Sequence, residues 1–127
     1  MKKNKYNSFI GGLYSEIKKA HWKVFYEEES DSLFWTKKPF PVTDKLAKVS
    51  KEISFYLNGA GIVDGLMIQP FQSNFLSHNE EVSGMAKFLS RQTQDGIVAI
   101  PRGKDKENEL LLAALSATIQ KDIYKDA

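Results

Sequence analysis

Two segments constrain this chain more than any others. Val24-Phe-Tyr-Glu-Glu-Glu-Ser-Asp-Ser-Leu-Phe-Trp35 and Ile53-Ser-Phe-Tyr-Leu-Asn-Gly-Ala-Gly-Ile-Val-Asp-Gly-Leu-Met-Ile68 each read as a strand, a tight polar turn and a second strand. In the first, Trp22, Val24 and Tyr26 alternate with Lys23, Phe25 and Glu27. That period of two suits β-branched and aromatic residues on a pleated, half-buried surface. Residues 28–31 supply the turn, with Asp31 expected to cap it through its side chain. Ser32 to Trp35 returns, and Pro39 and Pro41 end that strand because proline lacks an amide donor and restricts the residue before it.

In the second segment, Asn58-Gly59 followed by Gly61 is a strong hairpin signal, since these residues tolerate positive φ. Asp64-Gly65 inside the returning strand indicates a bulge or a close backbone approach. Residues 45–57 fit either a helix or a strand, and the apolar run Ile53–Leu57 before the turn favours the strand. On the N-terminal side, Ile10, Leu13, Tyr14, Ile17 and His21 have helical spacing over residues 7–20, with Asn7 or Ser8 as cap. The Gly11-Gly12 pair weakens that helix, each interior glycine costing about 1 kcal/mol relative to alanine.

Beyond the second segment, Ser77-His-Asn-Glu80 has the form of a capping box opening a helix with Val82, Met85, Ala86 and Leu89 on one face. Ile97–Ile100 reads as a short strand. Asp105 caps a final helix running to about Tyr124. Its Leu111, Leu112, Leu115, Ile119 and Ile123 form an apolar stripe wider than an edge helix of a monomer needs, which marks an interaction surface and favours a homodimer.

Tyr26-Glu-Glu-Glu-Ser-Asp31-Ser-Leu33-Phe resembles the Tyr-Asp-x-Glu-x-Asp-x-Leu-Tyr signature of a small bacterial family, domain of unknown function family 2283. Val49 to Ile68 resembles its second half, where a strand leads through an Asp-x-x-Gly turn into Ile-Val-Gly-Ile-Glu-Ile. The resemblance covers residues 22–70. Glu27 stands in place of the usual Asp, Asn58 in place of the turn Asp, and Asp64 separates Val63 from Gly65. The resemblance implies a β-meander fold and no particular activity. Because some members of the family are encoded beside toxin-like genes, it also implies an antitoxin-like role.

Composition narrows the chemistry. With no cysteine, the chain has no disulfide and no thiolate metal site, in keeping with a reducing cytoplasm. No apolar run reaches the roughly twenty residues that span a bilayer, and the basic N-terminus is followed by no signal-peptide core. The expected location is therefore cytoplasmic. The net charge is +2, but residues 1–60 hold eleven lysines against seven acids. These are all lysine, with no arginine before Arg91, and specific phosphate or base readout favours arginine. A solvated lysine surface is the preferred reading. Trp22, Phe25, Tyr26, Phe34, Trp35, Phe55 and Tyr56 would suit stacking on single strands, but such aromatics more often build a core.

The acidic tip from Glu27 to Asp31 offers oxygen ligands for a hard cation, although turn capping is the preferred explanation. His21 and His78 lie in no paired ligand motif, His21 being expected to pack or hydrogen-bond at the end of the first helix and His78 to face solvent. No nucleophile motif or phosphate loop is present.

The expectation is one α+β domain over residues 1–127: an N-terminal helix (1–21), an antiparallel β-meander (22–70) and a helix–strand–helix extension (71–127), with helices on one face. Asp31, Asn58, Gly59, Gly61, Ser77 and Glu80 are expected to act as turn and cap residues. No catalytic, metal or cofactor residues are assigned. The leading function is a non-enzymatic interaction protein, an antitoxin-like partner of another small protein. The alternative is a nucleic-acid-associated protein using the lysine-rich half.

Overall fold

A computed structural model describes residues 6–37, 45–83, 97–100 and 106–126. Its sheet has six strands: β1 (Lys23–Glu27), β2 (Ser32–Thr36), β3 (Lys45–Lys48), β4 (Ile53–Leu57), β5 (Val63–Ile68) and β6 (Ile97–Ile100). Their spatial order is β3-β4-β5-β2-β1-β6, and every neighbouring pair is antiparallel. The α+β class is as expected. The meander proper is β3 to β5, and it joins the β1–β2 hairpin through β5 rather than β3. Among the described residues the α-helices are α1 (Asn7–Gly11), α2 (Leu13–Lys19) and α3 (Lys106–Asp126). Between β5 and the segment outside the described residues run a π-helical turn (Phe71–Phe75) and two 3-10 turns (Leu76–His78 and Glu80–Val82).

Register explains the core. Val24, Trp35, Leu66 and Phe55 face one another across four strands, as do Tyr26, Leu33, Ile68 and Ile53. All eight are buried in a single cluster with Ile10, Leu13 and Ile17 from the first helices, Phe71, Phe75 and Val82 from the turns, and Leu112, Leu115, Ile119 and Ile123 from α3. Each such side chain contributes about 1.5–3 kcal/mol by leaving water. The cluster thus draws on all three segments of the chain, and its helices lie on one face of the sheet. The other face carries Phe25, Phe34 and Met67 in one cross-strand row, all half-buried.

This packing corrects the interaction stripe. Leu112, Leu115, Ile119 and Ile123 are buried against the core, so they are not a surface for a second copy. The width of the stripe reflects a helix enclosed by α2 on one side and the Val82 turn on another. The side chain of Leu111 lies outside the described residues.

Several local expectations also change. The first helix breaks into α1 and α2 at Gly12, and Tyr6, in place of the expected Asn7 or Ser8, occupies the cap position without a side-chain capping hydrogen bond. His21 is exposed and takes a positive φ of 57° just beyond α2, where its amide donates to the Lys18 carbonyl at 3.2 Å, so of the two expectations it is hydrogen-bonded at the helix end and not packed. Ser77 and Glu80 form no capping box. The Ser77 hydroxyl donates to the Asn74 carbonyl at 2.6 Å inside a 3-10 turn, and Glu80 starts the next one with no side-chain cap. The tighter turns follow the π-helical entry, so a regular α-helical N-terminus does not form at Ser77. The helix expected beyond Val82 falls mostly outside the described residues. Residues 45–57 take the favoured strand alternative, but as a hairpin of two strands, β3 and β4.

The β4–β5 connection is longer than a two-residue Asn-Gly turn. Asn58 Oδ1 accepts from the amides of Ala60 and Ile62 at 2.9 and 3.1 Å, and Gly61 alone takes a positive φ, of 78°. The expected bulge is present: Tyr56 pairs with Gly65 and Leu57 with Val63, leaving Asp64 extra. Gly65 is needed there, because a Cβ would sit 2.8 Å from Thr36 Cγ2 and 3.3 Å from Tyr56 Cδ2.

The two turn glycines should therefore separate experimentally. Gly61→Ala is expected to cost about 1–2 kcal/mol by forcing a left-handed alanine. Gly59→Ala, whose added Cβ meets nothing within 4 Å, should stay within about 0.5 kcal/mol of the parent. Urea unfolding of both variants measures the difference, and equal losses would contradict the turn geometry.

Candidate functional site

Asp31 shows how the hairpin tip is used. It takes a positive φ of 51°, and its backbone carbonyl accepts from the Phe71 amide at 2.8 Å. Its Oδ1 accepts from the Tyr26 hydroxyl at 2.6 Å and the Gln72 amide at 2.8 Å. Its Oδ2 accepts from the Ser73 amide at 3.0 Å and the Ser73 hydroxyl at 2.7 Å. The carboxylate thus satisfies otherwise orphaned donors at the start of the π-helical turn. Glu27 Oε1 accepts from Ser30 at 2.6 Å, while Glu28 and Glu29 are exposed. The acidic tip is accordingly a structural latch, but the Asp31 carboxylate caps the π-helical turn and not, as expected, its own turn, which the Asp31 amide closes on the Glu28 carbonyl.

Burial opposes the charge on Asp31, but the hydrogen bonds from Tyr26, Ser73 and Gln72 outweigh it and hold the carboxyl below its ordinary range. Burial, followed by the Asp31 bond and charge, pushes the Tyr26 hydroxyl up.

The latched turn leads into a cleft of about 280 Å³ lined by Lys51, Glu52, Asn74, His78, Asp122 and Lys125. Glu52 sits in the β3–β4 turn, which Val49 and Ser50 close by donating their amides to the Ile53 carbonyl. The Glu52 carbonyl accepts from the Gln69 amide at 2.8 Å, tying it to the end of β5. Its side chain is nearly enclosed, and Oε2 accepts from Asn74 Nδ2 at 2.6 Å. His78 Nε2 lies 2.9 Å from Glu52 Oε1 and 3.6 Å from Asp122 Oδ1. The ring is packed edge-on against Phe75, and 41% of the side chain is exposed to the cleft. Asp122 enters from α3, one turn beyond Ile119 and on its buried side, with 13% of its side chain exposed.

Among the described residues, this is the one place where three histidine or carboxylate ligand atoms converge, all within 4.8 Å of one another. The cluster brings three elements together: His78 is in close polar contact with Glu52, and Asp122 stands beyond hydrogen-bond distance at 3.6 Å. Sequence reasoning missed it. His78 is exposed, as expected, but its approach to Glu52 and Asp122 was not foreseen, and Glu52, Asn74, Asp122 and Lys125 were not singled out. One signal was available: Asp122 continues the buried spacing Leu115–Ile119, so an acid falls on the core stripe of α3.

The other expected residues are dispersed. Asn58, Gly59 and Gly61 form the β4–β5 loop at another part of the molecule, and Ser77 and Glu80 flank His78 without facing the cleft. Trp22, Tyr26, Trp35 and Phe55 are buried in the core and offer no face for a base to stack on.

Lowering pH tests the latch. The folded-state pKa of Asp31 lies below the unfolded value of about 3.9. Its stabilisation is therefore fully present above that value and is lost as pH falls through the folded pKa. Asp31→Asn should cost about 1–2 kcal/mol near neutral pH, discounted for partial exposure, and the loss should shrink toward pH 2. Chemical denaturation from pH 7 to pH 2 checks this, and a loss that does not vary with pH would refute the electrostatic part. Comparison with family models, curated proteins and solved structures finds no match to this chain.

Proposed function

We propose that the protein is a non-enzymatic interaction module, a regulatory partner of another small protein. The observation that carries this reading is a second cleft, about 340 Å³, between the first helices and the β4–β5 loop. Phe9, Ala20, Trp22 and Val63 line it, and Ile62 at its lip is 62% exposed. An apolar pocket bordered by the exposed Glu16 and Lys37 has the anatomy of a protein-binding hot spot, with an apolar centre and a polar rim. Its occupant is a bulky apolar side chain carried on a segment of a different protein. A homodimer has lost its original ground, because the α3 stripe is internal. The resemblance of residues 22–70 to domain of unknown function family 2283 supports an antitoxin-like setting for this partnership.

Exposed Lys45, Lys48 and Lys51 along the β3 edge favour the alternative, association with nucleic acid. The same lysines also suit an edge strand protected against pairing, and burial of four of the seven aromatics weakens the alternative. Among the described residues, no helix is long and apolar enough to cross a membrane.

Affinity capture from the host at high salt, comparing the parent with Ile62→Glu, tests the proposal. One stoichiometric protein should be retained by the parent and lost by at least about 30-fold in affinity with the variant, the scale of a hot spot near 2 kcal/mol. The melting temperature should not change. Retention that ignores Ile62→Glu, or binding that high salt abolishes, would overturn it in favour of another surface or of nucleic acid.

A further inference from the structure

We propose that Glu52, His78 and Asp122 form a binding site for a divalent transition-metal ion of the zinc type, with its remaining coordination positions open to the cleft. This is independent of the protein-binding surface above. The geometry is close to what such an ion needs. Bonds of about 2.0–2.1 Å in a tetrahedral shell place ligand atoms about 3.3 Å apart. The contacts from His78 Nε2, at 2.9 Å to Glu52 Oε1 and 3.6 Å to Asp122 Oδ1, bracket that separation. The third separation, between the Glu52 and Asp122 carboxylates, lies within 4.8 Å, so the three atoms converge on one point with modest side-chain rotation.

The elements that carry the ligands are fixed independently. Glu52 is held through its carbonyl by Gln69 and through Oε2 by Asn74, which leaves Oε1 directed at the imidazole. That is the arrangement by which a surrounding hydrogen bond orients a metal ligand. Asp122 is anchored by Ile119 and Ile123 in the core, and His78 by its edge contact with Phe75.

One imidazole with two carboxylates selects the class of ion. Calcium takes six to eight oxygens and magnesium keeps most of its water, whereas imidazole suits zinc and its neighbours. Lys51 and Lys125 line the same cleft. Two carboxylates balance one divalent ion, so these lysines would leave the loaded cleft positive and favour a small anion, or hydroxide, in the open position.

The test is zinc titration of the intact, metal-stripped chain by calorimetry, with the histidine side chains followed by NMR. The chain has only two histidines and no cysteine, so the assignment is unambiguous. The proposal predicts one zinc per chain, a shift of the His78 ring resonances with His21 unmoved, and affinity reduced at least tenfold in His78→Gln and in Asp122→Asn. His21→Gln should bind zinc like the parent. Far-UV circular dichroism establishes that each variant is folded. If His78→Gln fails to fold, the ring shifts in the unmodified protein and the Asp122→Asn titration decide the matter. No saturable zinc binding, binding that shifts His21 instead, or affinity unchanged in Asp122→Asn would each overturn the proposal.

Discussion

The carboxylate of Asp31 is the contact on which the arrangement around the cleft depends. Placed in a left-handed conformation at the tip of the first hairpin, it accepts four hydrogen bonds, three of them from residues 72 and 73. A helical turn entered from an extended Pro70 has unpaired amides at its start. Here they are satisfied by a side chain from a strand pair distant in sequence, not by a local cap. The π-helical turn is thereby fastened to the sheet, and it carries Asn74 and Phe75 to the positions from which they hold Glu52 and His78.

Beneath this latch lies a core that is simple in its logic. Two cross-strand rows of four apolar residues cover one face of the sheet, and a two-residue period in β1, β2, β4 and β5 directs them there. The helices have little freedom in how they cover that face. Ile10, Leu13 and Ile17 take one end, and the long stripe of α3 fills the rest. What resembled a spare surface on α3 is consumed internally because the sheet is wide and the first helices are short. The Asp64 bulge, with Gly65 pressed between Thr36 and Tyr56, sets the register that keeps the rows aligned.

Much of this was legible in the sequence, and the omissions share a cause. Alternation revealed β1, apolar runs flanking polar turns revealed β2, β4 and β5, and the turn residues revealed the bulge and the two hairpin tips. Strand β3 was hidden because Lys45-Leu-Ala-Lys48 is an edge with three exposed positions, where burial imposes no pattern. The split of the first helix was foreshadowed by Gly11-Gly12. Asp31 was visible as a turn residue, but its bonds to Gln72 and Ser73 are tertiary. The same holds for Glu52, His78 and Asp122. Each looks ordinary beside its chain neighbours, and only the packing of α3 and the π-helical turn against the β3–β4 connection brings them within reach. The buried spacing of Asp122 was the one local hint.

The central claim is that a single carboxylate fastens the turn that builds the cleft, separately from the core below it. Residue-resolved amide hydrogen exchange on the unmodified protein and on Asp31→Ala tests this directly. The account predicts that the amides of Phe71, Gln72, Ser73 and Phe75 lose protection while those of β4 and β5 retain theirs, a local opening in place of a global one. Unchanged protection at Gln72 and Ser73, or an equal loss throughout the sheet, would contradict it.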